Sequence, residues 1–446
     1  MPKTDPLCVA RLIPSDDGCE HQMDIKQRYA MPLSDRIFIH AKTLIAGYAY
    51  SIFIFMLRAM KVRLYPNDQA KAELDRQFGA VRFVYNKALA IISHRYKVHG
   101  DSLRASKDIK PLLAIAKRSR KYSWLKDFDA IALQEACRNL DTAFKNFFDK
   151  SCQARYPKFK KRRGQQSSYH CTGSTAYDSE SITLPKIGKI PARIHRDIEG
   201  ALKSITVSRS PAGKYYAAIL VDTAEVKPET ITVIDGNFVR GIDVGLASLV
   251  NVDNGKKIDN PRFIKRAATN LRRKQKSLSR KKKGSSNRAK ARLSVAKCHE
   301  KVANARNDFQ HKLSRQLVDE NQAIVVETLK IKNMMKNRRL SKAIADASWH
   351  SQIEKLDYKA RQAGKHLVKI DQWFASTKTC SCCGDKIEKL PLNIRVWTCA
   401  CGAVLDRDTN AAINIKQQGI LKLKATGLVV SAHGGLRKTG TVSAAA

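Results

Sequence analysis

The tightest constraint on this chain lies toward its C-terminal end, where four cysteines fall into two short pairs. Cys380 and Cys383 form a Cys-x-x-Cys pair followed by Gly384; after 15 intervening residues, Cys399 and Cys401 form a Cys-x-Cys pair followed by Gly402. Thiolates at such spacings close a tetrahedral zinc site, and a glycine just behind each pair supplies the positive φ that these tight turns favour. The second pair is one residue shorter than the first, and Cys382 competes with its neighbour Cys383. Cys383 is preferred, because a Cys380 and Cys382 pair would leave the Gly384 turn without a ligand ahead of it. A disulfide-stapled or merely reduced loop fits less well, since paired cysteines without a secretory pattern favour metal. A zinc held by four thiolates keeps no open position for water, so its expected role is to fold the module.

Directly behind the second pair stands Asp408, in the run DRDTNAAINI (406–415), where a helix is expected to begin with its side chain facing back to a sheet. Two other carboxylates sit in apolar strands: Asp243 between Ile242 and Val244, and Glu327 at the end of AIVVE. A carboxylate on an apolar strand is costly unless it is paired or binds a metal. Gly241 and Gly245 beside Asp243 allow close approach of backbone or ligand. Each acid alone is more often a cap or an ion pair. Three on one sheet-and-helix layer match the hard oxygen ligands that magnesium prefers, in the arrangement used for two-metal phosphodiester hydrolysis. Asp406 is the rival for the third position, placed second because Asp408 precedes the helical run more directly.

Charge points to the partner. With 83 Lys and Arg against 40 Asp and Glu, the 446-residue chain carries +43, and compact folding at that charge calls for a polyanion. Nucleic acid is the natural one, with no membrane and no small-molecule substrate expected. The length implies two to four domains. Cys8, Cys19, Cys137, Cys152, Cys171 and Cys298 show no framework spacing, which suits the cytosol.

From the N-terminus onward, the first 55 residues share no pattern with the body of the chain. Their uncharged run into Leu57 is shorter than a membrane span. Met56 or Met60 is the expected working start, because an alternating strand, AMKVRLYP, begins there. Leu74, Phe78, Val81, Tyr85 and Leu89, then Ala132, Ala136, Leu140, Phe144 and Phe148, recur at helical spacing. The stretch YPKFKKRRGQQSSY (156–169) interleaves aromatics with Lys158, Lys160, Lys161, Arg162 and Arg163, which suits phosphate contact with base stacking, although a solvated loop reads the same way. From Ser181 to Val221 the period becomes two, with a turn at Ser210–Gly213, as in a small β-barrel that binds oligonucleotides across an open face. AMKVRLYP would be its first strand, and the helical domain an insertion. Between Arg262 and Arg315 stand 19 Lys and Arg against only Glu300 and Asp308. Its dense core, Arg272, Arg273, Lys274, Arg280, Lys281, Lys282 and Lys283, is expected to line a nucleic-acid channel.

The motifs GIDVG, VVETL, STKTCSCCG with CACG, and DRDTNAAINI resemble the TnpB-type proteins of small bacterial transposons, often called OrfB transposases, which are relatives of type V CRISPR nucleases. The likeness covers about residues 56–420. It implies a multidomain α/β protein: an RNase H-like, RuvC-like nuclease domain with a zinc-ribbon insertion, and a wedge-like β-barrel with an inserted helical domain. Asp243, Glu327 and Asp408 match the family's catalytic, magnesium-binding acids, and Cys380, Cys383, Cys399 and Cys401 match its zinc ligands. The implied partners are a guide RNA from the transposon end and a double-stranded DNA target, in a bacterial cytoplasm at the nucleoid.

The resulting division is a 1–55 extension, a 56–66 first strand, a 67–150 helical recognition domain and a 151–235 β-barrel. Beyond these lie a nuclease part at 236–375, a zinc insertion at 376–402, a second nuclease part at 403–420 and a 421–446 tail, with fraying expected from about Gly419. The alternatives to an RNA-guided endonuclease are a cleavage-inactive RNA-guided repressor, which loss of an acid would mark, and a strand-transferring transposase, which would need to join ends.

Overall fold

The structure is a computed structural model that describes residues 55–152, 154–162, 167–196, 199–391 and 393–431; the expected N-terminal extension and most of the expected tail lie outside them. Alternating apolar residues make β1 (Phe55–Leu64) a strand with Met60, Val62 and Leu64 buried. It stands inside a sheet with β2 (Ser168–Cys171), β3 (Ala176–Tyr177), β4 (Ser181–Leu184), β5 (Gly188–Arg193), β6 (Ala201–Arg209) and β7 (Tyr215–Val226). The strand order is β2-β6-β7-β1-β5-β4-β3, with every neighbour antiparallel. Ser210–Gly213 turns β6 into β7, with Gly213 at φ 76.

Between β1 and β2 the chain runs through α1 (Asp68–His99), α2 (Leu112–Arg118) and α3 (Ala130–Phe148). Asn67 caps α1 by accepting from the Ala70 amide at 2.8 Å. The residues at helical spacing on α1, together with Ala132, Ala136 and Leu140 on α3, pack against the sheet in one core. Phe148 departs from that pattern: it is 73% exposed, at the end of an aromatic group with Phe144, Phe147 and Tyr156.

The next strands are β8 (Val233–Ile234), β9 (Val239–Asp243), β10 (Ser248–Val252) and β11 (Lys257–Asp259), followed by α4 (Phe263–Ser279) and α5 (Ser286–Asp319). Then come β12 (Ala323–Val326), α6 (Ile331–Met334), α7 (Ser341–Ala347), α8 (Trp349–Gln362), β13 (His366–Lys369), β14 (Val396–Thr398), β15 (Val404–Asp406), α9 (Arg407–Ala425) and β16 (Val429–Val430). Five of these strands form a second sheet, ordered β11-β10-β9-β12-β13. The β9, β10 and β11 neighbours are antiparallel, whereas β12 runs parallel to both β9 and β13.

This sheet is covered on both faces, which is why β12 is apolar at every position. Ile324 and Val326 join Leu313, Leu317 and Leu356 of α5 and α8, while Ala323 and Val325 join Ile415, Ile420 and Leu423 of α9. Helix α9 lies against the sheet at backbone distance. A Cβ at Gly241 would overlap the Ala412 carbonyl oxygen and stand 2.6 Å from the Lys416 nitrogen, and one at Gly419 would overlap the Val325 methyls.

Gly419 therefore corrects the expectation of fraying: it is a contact residue inside α9, which continues to Ala425, after which β16 pairs with β8. Ile234 of β8 belongs to the α9 core, so the boundary between the two sheets falls after Val226 rather than at 235.

The basic segment is a helical hairpin of α4 and α5, and its few acidic contacts are pins. Asp346, nearly buried on α7, accepts from the Ile264 and Lys265 amides that open α4 and pairs with Arg306 of α5 at 3.2 Å. Glu300 on α5 accepts from Ser210 and Tyr216 and pairs with Lys214 at 2.6 Å, holding the hairpin to the β6–β7 turn. No helix among the described residues is long and apolar enough to cross a membrane.

Gly241→Ala tests the backbone contact. The new methyl must push α9 off β9, which should lower stability by about 1–3 kcal/mol in denaturant unfolding, whereas Gly79→Ala, inside α1 with open space and no positive φ, should cost nothing or stabilise.

Candidate catalytic carboxylates and metal centre

Strand periodicity sets the first two carboxylates. Side chains alternate between faces, so Asp243 shares a face of β9 with Val239 and Gly241, the face toward α9. Glu327 likewise follows Ala323 and Val325. In the parallel β9–β12 register Val326 pairs with Ile242, and one further step sets Glu327 opposite Asp243. Strands about 4.8 Å apart make such a pair near neighbours. Asp408 arrives from above, in the first turn of α9.

Burial raises the Asp243 carboxyl to about 7, and the charges of Glu327 and, less strongly, Asp408 push the same way. A hydrogen bond from Asn251 Nδ2 at 3.3 Å and the nearby Arg407 oppose the rise. Each acid has its own partner: Asn251 for Asp243, the Ser376 hydroxyl for Glu327, and Arg395 at 3.3 Å for Asp408. Among the described residues only the cysteine quartet brings three or more ligating atoms within 4.8 Å of one another, so the acids are gathered but not closed.

Their donor set is hard oxygen, suited to magnesium. Buried Asn251 Oδ1, without a hydrogen-bond partner, leaves an acceptor for a cation's water. Asp406 is differently employed. It caps α9 by accepting from the Thr409 amide at 2.9 Å and pairs with Lys257 at 2.8 Å. Burial pushes its carboxyl up, but these hydrogen bonds outweigh that and leave it below the usual range.

The cysteines form a second centre. Cys380 and Cys401 sulfurs stand 3.8 Å apart, and Cys383 and Cys399 sulfurs 3.6 Å. Zn–S bonds of about 2.3 Å place tetrahedral sulfurs about 3.8 Å from one another, so the quartet fits zinc. Gly384 and Gly402 have φ of 83 and 84, as the turns require, while exposed Cys382 stays outside the quartet. Trp397 and Leu405 of the β14–β15 hairpin pack with Cys380 and Cys399, while Cys383 and Cys401 are exposed.

Sequence reasoning did not single out Asn251, Ser376, Arg395, Asn410 or Asn414. Asn251 had the same signal as Asp243, a polar residue within an apolar strand. Asn410 and Asn414 had helical i, i+4 spacing within an apolar run.

Of the basic residues expected to meet nucleic acid, Lys158, Lys161, Arg162, Arg272, Arg273, Arg280, Lys281, Lys282 and Lys283 are exposed and Lys274 is half-buried. Arg163 lies outside the described residues. Lys160 sits 3.9 Å over the Tyr85 ring, with its backbone held by Asn86, and burial lowers its ammonium below the usual range. Lys161 and Arg162 border a cleft of ≈ 1320 Å³ that Arg82, Arg209 and Arg292 also line.

Residues 223–338 match a family described as "Probable transposase", residues 349–415 one described as "Cas12f1-like, TNB domain", and residues 56–101 one described as "Helix-turn-helix domain". The last region is β1 followed by the single long helix α1. A Streptomyces pristinaespiralis protein named "Putative RNA-guided DNA endonuclease" is 42% identical over 369 residues, 81% of this chain and 89% of that protein. The Escherichia coli K12 protein "Putative RNA-guided DNA endonuclease InsQ" is 30% identical, over 81% and 92% of the two chains. The chain belongs to the OrfB/TnpB family. Its fold is similar to that in a Cas12f1–sgRNA–target DNA complex, with a TM-score of 0.51 at 13% identity over 81% of this chain and 99% of that one.

Two measurements test these centres. Metal analysis should find about one zinc per chain, lost in Cys383→Ser and kept in Cys382→Ser. Asp243→Asn should raise the thermal midpoint in magnesium-free buffer. Asp243 holds its proton more tightly folded than unfolded, so its charge opposes folding increasingly as pH rises from about 4 toward 7. The gain should be large at pH 8 and small at pH 4.

Proposed function

We propose that this chain is a transposon-encoded, RNA-guided DNA endonuclease that hydrolyses phosphodiesters with divalent cations held by Asp243, Glu327 and Asp408. The observation that carries the reading is the convergence of three carboxylates on the α9 face of one sheet, in a chain of this family. The five-stranded sheet supports an RNase H-like, RuvC-like domain: numbered in chain order its strands run 3-2-1-4-5, the first three antiparallel and the last two parallel to the first. The seven-stranded sheet with helices inserted after its first strand supports the wedge-like barrel and recognition domain.

In this mechanism, two bound magnesium ions would supply an activated water and charge neutralisation at the leaving oxygen. The three carboxylates would hold the cations, and Asn251 steadies Asp243. A cation there would offset the repulsion from Glu327 and Asp408 and favour the ionised form of Asp243, its proton passing to solvent. The quartet Cys380, Cys383, Cys399 and Cys401 takes zinc as a structural ion.

Guide RNA and target duplex are the partners this reading assigns to the basic surfaces. The α4–α5 hairpin and the cleft at Arg82, Arg162, Arg209 and Arg292 present cations to phosphates. Exposed Phe148, Tyr156 and Phe159 offer stacking faces.

The test uses the full chain with its co-purified RNA, sequenced to define the target. Asp243→Ala, Glu327→Ala and Asp408→Ala should each cut DNA at least about 10²-fold more slowly while still binding RNA; Asp406→Ala should keep cutting. Loss in Asp406→Ala with retention in Asp408→Ala would reassign the third acid, and cutting by all three acid variants would sink the reading.

A further inference from the structure

The stretch from Ser376 to Ser381, which enters the cysteine quartet, is tied to both carboxylate-bearing elements at once. Ser376 is buried, and its hydroxyl donates to Glu327 Oε1. Its carbonyl accepts from Asn414 Nδ2 at 2.8 Å. The Thr379 carbonyl accepts from Asn414 Nδ2 at 2.6 Å and from Asn410 Nδ2 at 2.8 Å, and Asn410 Oδ1 accepts from the Ser381 amide at 2.8 Å. Asn410 and Asn414 are 1% and 2% exposed, one turn apart on α9, the helix that begins with Asp408. Cys380 lies between the two clamped carbonyl and amide positions.

Satisfying buried backbone groups explains the asparagines by themselves. It does not explain why the one buried hydroxyl on this stretch ends on a carboxylate. A hydrogen bond to an ionised acid fixes its rotamer more firmly than a neutral one would, and partners one step removed from a metal ligand commonly govern metal affinity.

We propose that Ser376, Asn410 and Asn414 are positioning residues that couple the cysteine centre to the carboxylate centre. Zinc at the quartet holds the 376–381 stretch, Ser376 then sets Glu327, and the two asparagines lock α9 and hence Asp408 at the same height. Coupling of this kind is reciprocal, so a cation at the acids also stabilises zinc at the cysteines. The inference rests on the reading of the three acids as a cation site.

Manganese binding to the full chain, followed by calorimetry with zinc content measured on the same samples, tests it without reference to cleavage. Ser376→Ala should keep its zinc and bind Mn²⁺ about 10–100-fold more weakly; Ser376→Thr, which restores the hydroxyl, should bind near the unaltered level. Asn414→Ala should weaken Mn²⁺ binding and release zinc faster to a chelator. In the unaltered chain, saturating Mg²⁺ should slow zinc loss to a zinc-selective chelator. Unchanged Mn²⁺ affinity in Ser376→Ala, loss of zinc from that variant, or zinc release indifferent to Mg²⁺ would each overturn the coupling. A binding isotherm unaltered by Asp243→Ala would remove the cation site beneath it. Coupled binding in a chain that never cuts DNA would uphold this inference and defeat the nuclease reading.

Discussion

The arrangement of the site depends on how closely helix α9 lies on the five-stranded sheet. Gly241 on the strand and Gly419 on the helix each present no side chain where the other element passes. That contact brings the helix start, and with it Asp408, over the strand ends that carry Asp243 and Glu327. The same approach concentrates negative charge in a partly dry place, which is why Asp243 holds a proton far more tightly than an exposed carboxylate. Such a cluster works against stability, a common trade at functional centres. The apolar contacts of Ile415, Ile420 and Leu423 with Val325 and Ala323 on the same helix face offset that cost.

Two acidic residues outside this cluster fasten the basic hairpin to its neighbours. Asp346 fastens the start of α4 and Arg306 of α5, and Glu300 midway along α5 ties it to the β6–β7 turn, leaving the hairpin's many lysines and arginines facing solvent. Arg82 shows the result locally. Burial, then Arg162 and Arg209, lower its guanidinium below the usual range, with Asp75 only partly compensating. Such a surface keeps a local excess of positive charge that internal ion pairs do not cancel.

The cysteine module is too small to fold by apolar burial: its core is Trp397 with two cysteines and a few half-buried neighbours. A metal held by the quartet would supply what burial does not. Because its entering segment is hydrogen-bonded to Glu327 and to two asparagines of α9, the module is continuous with the acid centre rather than appended to it.

Much of this was legible in the chain because it is written in short-range patterns. Ligand spacing picks out the cysteines, period-two and helical runs pick out Val62, Ile205, Leu74 and Leu140, and a charge in an apolar strand picks out Asp243. The turn glycines Gly384 and Gly402 come from local backbone geometry alone. What escaped depends on partners far away in sequence. Gly419 reads as a helix breaker until Val325, on another strand, is seen to occupy its missing side chain. Asp406 takes the cap of α9 and is held by Lys257 of β11, while Asp408 meets Arg395 of the cysteine module, and those two distant cations are nowhere visible in the local sequence. Arg82, Arg209 and Arg292 become one cleft only when a helix, a strand end and the basic hairpin meet. The sequence by itself determined which residue types could do chemistry and on which element they stand. Tertiary structure decided which of them meet, because strand register and helix docking join residues whose separation along the chain carries no periodic signal.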